Sequence, residues 1–239
     1  MRLNPSRRPQ TTSHSEGCEF VPREWPAACT LPCNRLSFAS CYVYSPRAAG
    51  RLGEISRRLC ARVKQIDPVW LPRYAGCVYQ ESLRDLQLAA LFASDAVLVP
   101  VPGSAETGNA QWAAAQLAIA LRGVGLANRV WLGLWREIAV RKSATAPSIA
   151  RPTVREHFES FRVMRFGMEI RRIVLIDDVV TKGRTLLAAA ARLQSELPNA
   201  DIRAFALIRT LGFVQHMTRV FDSCHGVIRW AGEDARREP

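Results

Sequence analysis

Acidic residues are scarce in this chain: 21 Asp and Glu stand against 33 Lys and Arg, leaving a formal net charge of +12. That imbalance points to phosphate-bearing partners, either nucleic acid or a small polyanionic substrate, without choosing between them. Long apolar runs are missing too. No stretch approaches the roughly 18 to 20 residues that a bilayer-spanning helix needs, so no membrane partner is expected. The opening MRLNPSRRPQTTSHSEG is positively charged but has no hydrophobic stretch behind it. It reads as a polar tail and not as a secretory signal. An even cysteine count is also lacking. Seven cysteines without a signal peptide argue against a disulfide framework. Cys29, Cys33 and Cys41 raise the question of zinc, but they lack the paired, short-spaced knuckles of a strong zinc module. Reduced structural thiols and a cytoplasmic location are the expectation. No G-x-x-x-x-G-K-[ST] occurs, which disfavours a Walker-type nucleotide site.

What is present is an ordinary globular composition, 48 % hydrophobic over 239 residues. The basic excess is nearly all arginine, clustered at 47–73 and 136–165. Arginine's planar fork suits phosphate and pyrophosphate oxygens. Residues 1–35 are rich in Pro, Ser, Thr and Arg and are expected to be poorly ordered. A strand is expected over 36–44. An amphipathic helix over 47–65 carries Leu52, Ile55, Leu59 and Val63 at spacings of three and four. Pro68 and Pro72 break that pattern, and a helical one resumes over 83–92. DAVLVPVP, 95–102, reads as a short strand stopped by prolines. An alanine-rich helix follows over 110–122, then a strand over 130–134. Residues 135–161 show no clean period and read as a long loop or mobile excursion. A strand at 173–176, a helix at 185–197 and a strand at 202–208 complete the order expected of a parallel α/β sheet flanked by helices.

The most informative stretch is IVLIDDVVTKGRT, 173–185. Four aliphatic residues read as a buried strand, and Asp177 and Asp178 follow at its carboxyl end, where open parallel sheets bind ligands. Adjacent carboxylates repel unless hydroxyls or cations meet them. Thr181, Lys182, Gly183, Arg184 and Thr185 then form a tight turn into a helix, whose amides and hydroxyls suit a phosphate. Diol-binding carboxylates beside a phosphate cradle describe a ribose 5-phosphate site.

This stretch resembles the phosphoribosyl-pyrophosphate (PRPP) motif of type I phosphoribosyltransferases. The resemblance implies that Asp177 and Asp178 hold the ribose hydroxyls, and that the turn carrying Val179, Val180 and Thr181 to Thr185 holds PRPP by its 5′-phosphate. LVPVPGSAETG, 98–108, resembles the same family's pyrophosphate loop, which implies that Gly103, Ser104 and Ala105 present amides to the pyrophosphate. Residues 135–161 take the place of the family's flexible loop. There Arg141 and Lys142 are the expected catalytic cations for the leaving group, with Arg136 and Arg151 as further candidates. His157 reads as a polar loop residue in preference to an acid catalyst. WREIAVRKS loosely resembles the competence-associated branch, whose amino-terminal cysteine zinc module and Arg-Gly-Phe-Asn-Gln run are missing here, although Asn109 and Gln111 occupy a comparable place.

The resemblance covers about 95–211; the expected organisation is a poorly ordered tail at 1–35, a hood or N-terminal region at 36–92, a phosphoribosyltransferase core at 93–215 and a C-terminal extension at 216–239. Trp25 and Trp70 fall to core or hood. The implied activity is transfer of a 5-phosphoribosyl group from PRPP, with Mg²⁺, to a nitrogen nucleophile such as a nucleobase. A homodimer is also implied. The rival expectation is a PRPP- or nucleotide-sensing module without turnover, acting on nucleic acid or a partner in DNA uptake or genome defence.

Overall fold

The computed structural model describes residues 31–105, 111–141, 151–164, 167, 169–232 and 234–239. Its elements run β1 (Arg35–Tyr44), α1 (Gly50–Lys64), α2 (Trp70–Ser82), α3 (Leu86–Leu91), β2 (Val97–Pro100), α4 (Ala113–Gly123), β3 (Arg129–Val130), β4 (Leu134–Arg136), α5 (Val154–Ser160), β5 (Phe161–Val163), β6 (Arg172–Val180), α6 (Arg184–Glu196), β7 (Asp201–Thr210), β8 (Phe221–Ala231) and β9 (Asp234–Glu238). Seven strands form one sheet in the order β3-β2-β6-β7-β1-β8-β9, and β4 and β5 form a separate pair. Strands β3, β2, β6, β7 and β1 are mutually parallel, while β8 and β9 add on antiparallel. The expected α/β sheet, mostly parallel and flanked by helices, is therefore present. Among the described residues no helix is long and apolar enough to cross a membrane.

The aliphatic run of β6 explains itself in this setting. Ile173 and Leu175 pack on one face with Leu186, Leu187 and Leu193 of α6 and Phe158 of α5. Val174 and Ile176 pack on the other with Leu59 and Val63 of α1, Val78 of α2 and Leu117 and Leu121 of α4. A parallel strand covered on both faces has no polar side to show, so its sequence loses the alternation of a half-exposed strand.

The segments flanking the expected core take part in the same sheet. The 36–92 segment, expected as a hood or N-terminal region, supplies β1 to it. Its strand β1 lies between β7 and β8, with Phe38 opposite Ala204 on one side and Gly226 on the other. The reason is burial, since residues of β1 feed both apolar layers and need a neighbour on each edge. The 216–239 segment likewise supplies β8 and β9 to the same sheet. Leu31, placed in the tail by the sequence reading, is 4 % exposed and belongs to the core, whereas residues 1–30 lie outside the described residues.

The 135–161 segment is not a plain loop either. It contains β4, α5 and β5, with Arg136 paired opposite Phe161. Thr153 starts α5 with a reciprocal capping box: its hydroxyl accepts from the Glu156 amide, and the Glu156 carboxylate accepts from the Thr153 amide. Pro72, read as a breaker, stands in the first turn of α2, where a missing N–H costs nothing.

Candidate functional site

Strand register brings the two motif segments together. Pro100 of β2 pairs with Ile176 of β6, and the Val101 amide donates to the Ile176 carbonyl at 2.9 Å. The turn carrying Gly103, Ser104 and Ala105 therefore starts beside Asp177. Trp112 anchors its root, the indole N–H donating to the Val101 carbonyl at 2.9 Å. The far side of the turn is held as well. Arg136 Nε donates to the Gly103 carbonyl at 2.5 Å, and the Val140 amide donates to the Ser104 carbonyl at 2.8 Å.

Asp177 and Asp178 lie within β6 and not beyond it. Pairing with β7 continues through Asp177 opposite Ala206 to Val180 opposite Arg209, so the expected end of the strand at 176 moves to 180. Burial changes phase at the same level. Odd positions 173 and 175 face the α6 layer, yet Val179 packs on the α1 side and Val180 on the α6 side. The two acids occupy the place where alternation fails. The Asp178 amide donates to Asp177 Oδ1 at 2.9 Å. Desolvation, and then the neighbouring Asp178 carboxylate, push the Asp177 carboxyl well above the ordinary range. Lys64 of α1 opposes that shift. The Asp178 charge in turn helps raise the buried Cys60 thiol, although desolvation is the larger cause there. Helix α1 thus presents Lys64 and Cys60 toward the acids.

The following turn is built around Gly183. Its φ of 88° is left-handed, and it caps α6 with no side-chain hydrogen bond. A Cβ there would lie 2.6 to 2.8 Å from three side-chain carbons of Ile228 on β8. Glycine meets both demands at once. The two cations of the turn converge on one acid: Lys182 Nζ lies 2.7 Å and Arg184 Nε 2.5 Å from the Asp234 carboxylate of β9. Arg184 Nη1 also donates to the carbonyls of Arg151 and Pro152, at 3.3 and 3.1 Å. Val180, Gly183, Arg184 and Thr185 are at least partly buried, whereas Thr181 and Lys182 are exposed.

Behind these loops lies a buried polar group that the sequence reading assigned to a loop. Arg136 is 2 % exposed and His157 3 %. Arg136 Nη1 donates to the Ser160 hydroxyl, Nη2 lies 3.4 Å from His157 Nδ1, and the guanidinium sits 4.2 Å over the Phe161 ring. His157 Nε2 is 3.4 Å from the Thr185 hydroxyl. Desolvation lowers the Arg136 pKa to about 10, with Asp177 acting in the opposite sense. Desolvation, then the charges of Arg136 and Arg184, lower the His157 pKa to about 3, so the ring is a neutral hydrogen-bonding bridge. His157 is a core linker and neither a loop residue nor an acid in this state.

The other expected residues divide. Arg141 is exposed and lies 3.6 Å from Glu156. Lys142 and Asn109 lie outside the described residues, as do Cys18, Trp25 and Cys29. Cys33 packs against the α6-side layer, whereas Cys41 is buried in the other, so the sheet separates them. Among the described residues no group of three or more His, Cys, Asp and Glu could hold a metal. Lys64 and Asp234 join the site without a sequence signal; Asp234 sits in GEDARREP, which carries no motif. A separate cleft of about 410 Å³ lies between α3 and strands β1, β7 and β8, lined by Ser37, Gln87, Arg203 and His225. It includes none of the motif residues.

No protein-family model matches the chain, and no curated protein matches it.

Proposed function

We propose that this chain is a phosphoribosyltransferase of type I architecture, transferring the 5-phosphoribosyl group of PRPP to a nitrogen nucleophile such as a nucleobase. One observation carries the reading. Two consecutive acids stand in the last half of β6, two residues before its end at Val180, and a left-handed glycine at 183 opens α6 just beyond it. Carboxylates for a ribose diol and helix amides for its 5′-phosphate then lie one turn apart.

In the reaction the C1–oxygen bond to pyrophosphate breaks, with its electron pair leaving on the pyrophosphate. The C1–nitrogen bond forms, and the acceptor nitrogen gives up its proton. The sugar passes through an oxocarbenium-like state, as in other glycosyl transfers. Asp177 and Asp178 orient the ribose, and amides of Gly103, Ser104 and Ala105 receive the pyrophosphate. Arg141 and Lys142 supply cations to the leaving group. Arg136 holds the pyrophosphate turn from inside, since its Nε donates to the Gly103 carbonyl. The donor set at the acids is hard oxygen, which suits a hydrated dication. Magnesium would be held largely through substrate oxygens and water, and would supply neutralisation of the pyrophosphate charge. The reading carries a cytoplasmic enzyme working as a homodimer. Asp177→Asn combined with Asp178→Asn should abolish PRPP binding in calorimetry with Mg²⁺. Undiminished binding by the folded double variant would overturn the assignment.

A second reading, a PRPP- or nucleotide-sensing module acting on nucleic acid, is favoured by where the charge excess lies. In the 136–165 cluster Arg141, Arg155 and Arg162 each meet a glutamate. In the 47–73 cluster only Arg58 does, with Glu54. Among the described residues Arg47, Arg51, Arg57, Arg62, Lys64 and Arg73 meet no acidic side chain within ion-pair distance. Arg62 and Arg73 also lie 4.0 and 5.1 Å over the Trp70 ring. Pyrophosphate release with a panel of nucleobases separates the readings. Turnover with any base rules out a purely sensing protein, and salt-dependent oligonucleotide binding without turnover favours one.

A further inference from the structure

We infer that Asp234, on the last strand of the sheet, is the positioning residue of the phosphate turn; the inference rests on the phosphoribosyl reading above. Helix α6 starts at a glycine without a side-chain cap, so its own segment supplies no side chain to fix the entry angle. Asp234 does this from β9. One carboxylate oxygen takes Lys182 Nζ at 2.7 Å. The other takes Arg184 Nε at 2.5 Å and the Ala235 amide at 2.7 Å. Arg184 passes the constraint on through the Arg151 and Pro152 carbonyls, which directly precede the Thr153 cap of α5. His157 of α5 then meets Thr185, one residue past Arg184. A closed path thus runs from β9 through the turn to α5 and back to the turn.

The two cations are held unequally. The Arg184 side chain is 18 % exposed and that of Lys182 59 %. Arg184 has three acceptors around it and stays in place. Lys182 has one exposed ion pair, a weak contact in water, and it can transfer from Asp234 to an incoming phosphate. Asp234 is ionised throughout the working range, because Arg184 first and Lys182 after it hold its carboxyl well below the usual value.

This placement makes opposite predictions distinguishable. On charge alone, removing a carboxylate beside a phosphate site strengthens phosphate binding. If Asp234 positions the turn, removing it weakens binding. The test is calorimetry of the full chain with ribose 5-phosphate, inorganic pyrophosphate and PRPP plus Mg²⁺, using the wild type, Asp234→Asn and Asp234→Glu. Thermal melts check folding. Asp234→Asn should lose about tenfold in affinity for ribose 5-phosphate while its pyrophosphate affinity is unchanged, and Asp234→Glu should recover part of the loss. Equal or tighter ribose 5-phosphate binding by folded Asp234→Asn overturns the inference and leaves the phosphoribosyl reading intact. A wild type that binds neither ribose 5-phosphate nor PRPP overturns that reading, and this inference with it. Should Asp234→Asn fail to fold, Arg184→Lys reads the same contact, because it keeps the charge and loses the fork; an unchanged affinity there also overturns the inference.

Discussion

Arg136 and His157 face each other across 3.4 Å in the interior, a permanent cation against an imidazole held neutral beside it. Arg136 also donates to the Gly103 carbonyl and the Ser160 hydroxyl. The pair joins the turn at Gly103 to the turn at Gly183 from behind, through the Gly103 carbonyl on one side and the Thr185 hydroxyl on the other, so disturbing either residue should be felt at both.

For His157 the sign follows from the lowered pKa. The unfolded chain takes up a proton near pH 6.5, whereas the folded ring resists until about pH 3. Stability from this residue is complete above about 6.5 and is lost as the pH falls toward 3, at up to about 1.4 kcal/mol per pH unit. Thermal melts of wild type and His157→Gln between pH 4 and 8 should diverge at high pH and converge at low pH. Parallel curves would count against a neutral buried ring.

Asp177 behaves in the opposite sense. Its carboxyl is raised, so the folded chain is penalised increasingly as pH climbs and the unfolded state gives up its proton more readily. Asp177→Asn should therefore raise Tm by about 2 to 4 °C at pH 8, the effect of roughly 1 kcal/mol, with a smaller gain at pH 5. The same variant should lose PRPP affinity. Stability gained where binding is lost is the pattern of a site residue.

Arg136→Ala leaves Ser160 and the Gly103 carbonyl without their donor and opens a cavity beside Phe161. A loss of about 2 to 4 kcal/mol in urea unfolding is expected, from the orphaned acceptors and the cavity. Arg136→Lys keeps the charge without the fork, and hydrogen exchange in that variant should rise at residues 101–105 before it rises in β6.

Gly183→Ala combines a left-handed φ with a collision against Ile228. The conformational part costs about 1 to 2 kcal/mol, and the contact adds to it. Pairing it with Ile228→Ala should remove the steric share and leave the conformational one. A double-mutant cycle in urea would show a coupling of about 1 kcal/mol or more. Full additivity would mean that the turn moves away from β8.

How much of this was legible in the sequence depended on whether the cause was local. The run 173–176 announced a strand covered on both faces, and the acids and glycine after it announced a turn into a helix. What could not be read was the far end of β6, because its extension to Val180 is set by β7 across the sheet. Strand β1 was visible by its apolar run, yet its place between β7 and β8 depends on partners far along the chain. Strand β8 was missed because it is half-exposed along most of its length and carries no clean alternation. Helix α5 was missed although Thr153 and Glu156 spell a capping box, a local signal available all along. Arg136 and His157 looked like loop residues because nothing nearby in sequence marks them as interior. Asp234 reaches the turn only through tertiary folding.

The position of β1 also governs the order of assembly during synthesis. This strand emerges early, but Ala204 and Gly226, its partners at Phe38, are made much later. Until then its apolar edges wait for long-range closure, which is slow and exposes strand edges to other chains. Asp234 is later still, so Lys182 and Arg184 of the turn at Gly183 gain their acidic partner only once β9 has been made. A nascent chain would hold the acids of β6 well before the turn that follows them could be fixed.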